Sequence, residues 1–200
     1  MTDLDAEGLY VDHAHDMRLW LGGHANPLHL EPHQVRIEDI AHALARQCRY
    51  NGHCNGFLSV ARHSLWVSRH LDPRRWSPDT PSNAGPLLSM WGLLHDAAEA
   101  YLGDLIRPLK HNPEIGTVFC EAEARLEAVI ARRFHLPYPM PPEVKEADTY
   151  VCIHDELGGD LDNNVGARWS YFGDYRADEA EFLTRFEMLE RILNTPGAKL

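Results

Sequence analysis

The 200-residue chain lacks several things a reader would use to place it quickly. No apolar run approaches the roughly 18 residues that span a bilayer, and the acidic start, MTDLDAEGLYVDHAHD, has neither the basic region nor the apolar stretch of a signal peptide. A cytoplasmic, membrane-free protein is the expectation. Basic residues are scarce, 19 against 30 acidic for a net charge of −11, which excludes broad electrostatic capture of nucleic acid or an anionic membrane. A small anionic substrate stays compatible, because a few local Arg or Lys reverse the field inside a pocket. The four cysteines, Cys48, Cys54, Cys120 and Cys152, include no C-x-x-C pair and read as reduced thiols.

Helical spacing dominates what is present. Ile37, Ile40, Ala41, Leu44 and Cys48 fall on one face, with Glu38 and Asp39 in the first turn where the helix dipole favours acids. After the glycine-broken CRYNGHCNG, residues 57–71 resume with Leu58, Ala61, Leu65 and Ser68, and Asp72-Pro73 stops them. Residues 72–86, with four prolines, read as a surface loop. The next stretch, LLSMWGLLHDAAEAYLGD, predicts one long buried helix ending at Gly103. A stripe of Val118, Ala122, Leu126, Val129 and Ile130 predicts another, and residues 143–156 and 178–194 complete the set. The expectation is a single all-α domain over 1–200. Residues 1–34 form an irregular segment shaping the pocket, 35–156 the core, and 157–200 a linker and last helix.

The dipeptide His-Asp occurs at His15-Asp16, His95-Asp96 and His154-Asp155, so context must separate the copies. The first lies in a polar segment and the third ends a short helix, whereas His95-Asp96 interrupts an apolar one. Taking an imidazole and a carboxylate out of water costs several kcal/mol unless they are paired or bind a cation. Glu99 follows His95 by four residues, on the same helical face, and Asp104 lies just past the terminating glycine. His63, with Val60 and Val67 around it, and Asp148, with Val144 and Val151, are likewise polar residues in apolar faces. Two imidazoles and two carboxylates suit a divalent ion, with Zn²⁺, Mn²⁺, Co²⁺, Fe²⁺ and Mg²⁺ all open.

The segments IEDIAHALARQCRYNGHCNGFLSVARHSLWVS, LLHDAAEAYLGDLIRPLK and VKEADTYV resemble the HD-domain phosphohydrolases, most of all their small nucleotide-hydrolysing branch of 5'-deoxynucleotidases and phage dATP triphosphohydrolases. The resemblance covers roughly residues 35–156. It implies an HD-domain helical bundle with one divalent metal between core helices, bound through His63, His95, Asp96 and Asp148, with Glu99 and Asp104 as catalytic acids. It also implies a homo-oligomer, a dimer or larger ring, that hydrolyses a deoxynucleotide at the 5'-phosphorus. The products are deoxynucleoside with phosphate from a monophosphate, or with triphosphate from a triphosphate. In a phage-encoded protein the compartment is the host cytoplasm. A cyclic nucleotide or alarmone hydrolase, and a metal-stabilised interaction protein without turnover, are the alternatives.

Five residues are candidates for the substrate. Arg49, before a glycine turn, offers a planar fork to phosphate or a salt bridge, and Lys110 in RPLK offers a phosphate contact. Arg18 and Trp20 offer a phosphate contact and a stacking face, although a buried aromatic anchor explains Trp20 equally well. Asn51 has similar standing; His53 does too, or it joins Cys48 and Cys54 around a structural zinc. The run CEAEARLE reads as a solvated helix face.

Overall fold

The computed structural model describes residues 14–54, 56–72, 85–156 and 173–195, with the side chains of 154–156 outside that set. Most of the expected 72–86 loop, most of the linker after 156 and the His154-Asp155 side chains therefore lie outside the described residues. The described structure is overwhelmingly helical, as an all-α fold requires. None of its helices is long and apolar enough to cross a membrane.

Three helices carry the core of the site. Helix α2 (Val60–His70) starts where the Ser59 hydroxyl accepts from Arg62 N, an N-cap that satisfies one of the otherwise orphaned amides. Helix α3 (Gly85–Leu94) lies against α2 at close range, because Gly92 has no side chain: a Cβ there would sit 3.1 Å from the Ser68 Cα and 2.8 Å from Leu71 Cδ1. Helix α7 (Pro142–Glu156) packs on both, with Val144 and Ala147 buried. Before them come α1 (Ile37–Arg46), and between α3 and α7 the short α4 (Glu99–Leu102) and α5 (Arg107–Lys110) and the longer α6 (Gly116–Arg133). The last helix, α8 (Tyr175–Asn194), lies across α1, α2 and α3.

Two expectations need correction. The long helix is not continuous: α3 ends at Leu94, and residues 95–98 form a tightened turn before α4. There Ala97 N bonds Leu94 O and Glu99 N bonds Asp96 O, three-residue closures in place of four-residue ones. His95-Asp96 therefore sits at a helix break rather than inside a helix. Val118 is 69% exposed and outside the α6 stripe, because α6 begins at Gly116 with its first turn turned to solvent. The N-terminal segment also contains a two-residue antiparallel pair, Met17–Arg18 with His24–Ala25, where no strand was expected.

Helix α8 is bolted to α2 by charge. The Asp178 carboxylate, fully buried, accepts from Ser59 Oγ at 2.6 Å and from Arg62 Nε and Nη2 at 2.9 and 2.6 Å. Glu181 pairs with Arg62 and with Arg69. A buried carboxylate with three donors is satisfied, and removing it takes two of the Arg62 contacts and the Ser59 contact away at once. Asp178→Ala is expected to destabilise the protein by ~3–5 kcal/mol in urea unfolding, well beyond the exposed Glu190→Ala.

Candidate metal centre

His63 is fully buried one turn into α2, and its Nε2 lies 3.0 Å from Asp148 Oδ1 on α7 and 4.0 Å from Asp96 Oδ2. His95, at the break after α3, places Nε2 3.1 Å from Asp96 Oδ2 and 3.7 Å from Asp148 Oδ1. The two imidazole centroids are 5.3 Å apart at 59°. His63, His95 and Asp96 each offer a ligand atom within 4.8 Å of the others, and Asp148 joins them through both rings. Three separate elements thus bring together four side chains of metal-ligating types.

The tautomer of His95 follows from its other nitrogen. Nδ1 is 2.9 Å from the Gly92 carbonyl oxygen, which can only accept, so Nδ1 carries a hydrogen and Nε2 faces the carboxylates. That Nε2 is buried and makes no hydrogen bond of acceptable geometry. A lone pair aimed at two carboxylates needs a proton or a cation between them. Burial disfavours the imidazolium, yet Asp96 and then Asp148 overcome it and push His95 up to about 10. Burial also works against the Asp96 carboxylate, but His95 and His63 hold it below the usual carboxylate range; the two imidazoles do the same for Asp148. The orphaned Nε2 and the paired carboxylates make this donor set fit a divalent cation.

Around the centre stand the predicted acids. Glu99 is buried, and its proton affinity is raised first by burial, then by Asp96 and Asp104. Asp104, after Gly103 at φ 81°, is half-buried and raised by the same causes, burial and then Asp96. Gln47 Nε2 donates to the Glu99 carbonyl at 2.8 Å, tying the end of α1 to the start of α4.

The five substrate candidates separate. Arg49 Nη1 is 3.9 Å from Asp96 Oδ2, and its Nη2 contacts Cys152 Sγ at 3.6 Å. Its backbone is fixed to the start of α2 through Arg49 N to Leu58 O at 2.8 Å. Tyr50 and Asn51 then take left-handed φ of 56° and 53°, which places Asn51 at an exposed turn. Lys110 reaches Glu99 and Glu123. Arg18 and Trp20 line a separate cavity of about 410 Å³ with Asp39, His42, Ala100 and Tyr101, where Trp20 stacks on His42 at 3.8 Å and 8° while 62% exposed. Trp20 is not a buried anchor. Cys48 and Cys54 lie 3.8 Å apart through sulfur, but His53 is exposed, and among the described residues no second grouping of three ligands converges.

Two acids in CEAEARLE were read as solvated and are not. Glu123 pairs with Lys110, and Glu127 is half-buried, its carboxyl pushed up to about 7 by burial and then by Glu123. Both sit one α6 turn apart beside the buried Ala122 and Leu126, and that spacing was the available signal.

No family model matches the chain. It is 39% identical over 132 residues to an uncharacterized protein of Rhodobacter capsulatus, covering 65% of this chain and 63% of the relative. It is 32% identical over 135 residues to the uncharacterized protein YfdR of Escherichia coli, covering 68% of this chain and 66% of the relative. The chain thus spans just under two thirds of the length of these curated relatives.

Two outcomes test the centre. Zn²⁺, Mn²⁺ or Co²⁺ at about 100 times Kd is expected to stabilise the protein by ~2.7 kcal/mol in a thermal shift, and chelation to reverse it. His95→Ala should abolish the shift; an unchanged one removes His95 from the ligand set. In the metal-free protein, Glu127 keeps a proton that the unfolded chain releases around 4.5, so stability is lost as pH rises from there through about 7. Glu127→Gln, which cannot lose that proton, should gain on the order of 1–2 kcal/mol over wild type between pH 5 and 8 in urea melts.

Proposed function

We propose that this chain is an HD-domain, metal-dependent phosphohydrolase that cleaves deoxynucleotides at the 5'-phosphorus. One observation carries the reading: His63, His95, Asp96 and Asp148 converge in the core beside Glu99 and Asp104, whose carboxyls both favour protons. A site built only to staple helices needs the first four and neither of the last two.

A divalent cation in this set supplies Lewis acidity toward a phosphoryl oxygen and makes water more acidic. The protein's own groups account for the rest. Asp96 and Asp148, held ionised by the imidazoles, keep the centre anionic enough to retain such a cation. Glu99, buried and raised, holds a proton close to the centre and can pass it to a departing 5'-oxygen or orient the attacking water. Asp104 raises Glu99 by its charge and shares that proton transfer. Arg49, 3.9 Å from Asp96, brings a delocalised cation to the edge where a phosphate would dock.

The decisive experiment incubates metal-reconstituted protein with dNMPs, dNTPs and cyclic nucleotides and resolves phosphate from triphosphate. Release of either from a deoxynucleotide is expected, and absence of turnover across metals and substrates overturns the proposal. Glu99→Ala should retain the metal and lose about 10²–10⁴ in turnover. Normal activity in that variant removes Glu99 from the mechanism.

A further inference from the structure

The geometry points to Lys110 and Glu123 as positioning residues for Glu99, a role that rests on the phosphohydrolase reading above. Lys110 Nζ lies 3.2 Å from Glu99 Oε1 and 2.8 Å from Glu123 Oε1, so one ammonium is shared between α4 and α6. Only one oxygen of Glu99 is held this way. Its Oε2 is buried and, among the described residues, makes no hydrogen bond, so Lys110 is the side chain that fixes the carboxyl's orientation.

The root of the lysine is equally constrained. Helix α6 begins at Gly116 directly against α5, where a Cβ on Gly116 would lie 1.9 Å from the Lys110 carbonyl oxygen. Gly116 N also bonds Asn112 O at 2.7 Å, closing the turn between the two helices. A lysine ordinarily spreads over many rotamers on its four-carbon stem. Here the stem is anchored at its base, and the ammonium at its tip stands 5.8 Å from the Phe119 ring centroid and is held by Glu99 and Glu123.

The arrangement argues against Lys110 as a phosphate ligand. To meet a substrate phosphate, Nζ would have to give up both its contact with the buried Glu99 and its pairing with Glu123. Glu123 makes no contribution to such a role, whereas it is what keeps the ammonium on Glu99 Oε1. The positioning role explains both acids.

The test uses the full, metal-loaded chain and the nucleotide that wild type turns over fastest, with metal content and circular dichroism checked for each variant. Lys110→Met is expected to lower kcat by about 10–100-fold with KM within about 2-fold, Lys110→Arg to restore most of it, and Glu123→Gln to lose about 3–10-fold. The Lys110→Met, Glu123→Gln double variant should be no worse than Lys110→Met alone, because both act through one contact. A raised KM at unchanged kcat in Lys110→Met makes the lysine a phosphate ligand and overturns the proposal, as does wild-type kcat in Glu123→Gln.

A second measurement does not depend on turnover. Under brief acetic anhydride treatment Lys110 should be protected relative to Lys145, whose side chain is 67% exposed, and Glu123→Gln should raise Lys110 labelling several-fold. Equal labelling of the two lysines in wild type overturns the clamp. A wild type that hydrolyses nothing overturns the phosphohydrolase reading and leaves the labelling to decide the clamp.

Discussion

Two imidazoles and two carboxylates share one buried point where α2, the break after α3 and α7 meet, and the surrounding packing follows from keeping them together. An isolated buried carboxylate would cost several kcal/mol and would take up a proton, so the helices delivering these groups have little freedom to slide. Gly92 shows the constraint from the packing side. It brings α3 close to Ser68 of α2 and also lends its carbonyl to His95 Nδ1, so one residue sets both the helix spacing and the ring's tautomer. Asp178 shows it from outside, fixing α2 to α8 through Ser59 and Arg62, one residue before His63.

The break at residues 95–98 has the same origin. Three-residue closures tighten the backbone there. His95 and Asp96 both turn toward the centre, with Asp96 Oδ2 at 3.1 Å from His95 Nε2. Adjacent residues in a regular helix point about 100° apart, so two neighbours facing one point require such a distortion. Glu99 then opens α4 already committed to the same side, within the field of Asp96 and Asp104.

Legibility in the sequence tracked this physics closely. Apolar periodicity located α1, α2 and α6 because each buries one face against the core, while α7 and α8 were marked by the breaks around them. His95-Asp96 stood out among three such dipeptides because everything around it was apolar, whereas His63 and Asp148 shared an apolar setting but were singled out mainly by the resemblance to the HD pattern. The break itself was illegible: Leu, Ala and Glu favour helix on both sides of it, and the three-residue closures that bring His95 and Asp96 to one side leave no mark in the sequence. Glu123 and Glu127 were misread because a run of charges is normally solvated, and nothing local reveals that Lys110, thirteen residues before Glu123, folds back to meet it. Val118 was misassigned because periodicity gives a face without saying where along the helix the core ends. The N-terminal cavity was partly legible, since Arg18 and Trp20 do share it, but the Trp20 partner, His42, comes from α1 and has no sequence signal.

Charge bookkeeping around the centre separates the roles of its cations. Asp96, Asp148, Glu99, Asp104, Glu123 and Glu127 gather near it, and three basic side chains answer them. Lys145 covers Asp148 Oδ2 at 3.0 Å from the outside, and Lys110 is shared by Glu99 and Glu123. Arg49 differs in kind. Its Nη1 stands 3.9 Å from Asp96 Oδ2, and its charge also acts on Asp104. Its guanidinium also offers several donors in a plane, so it can keep Asp96 in range and still meet an incoming oxygen. Its backbone is pinned beside the N-terminus of α2, while the left-handed Tyr50 and Asn51 turn the chain away from it. On the proposed phosphohydrolase reading, Arg49 is the cation offered to a phosphate, and the proposed role of the lysine that the sequence offered for that purpose is to orient an acid instead.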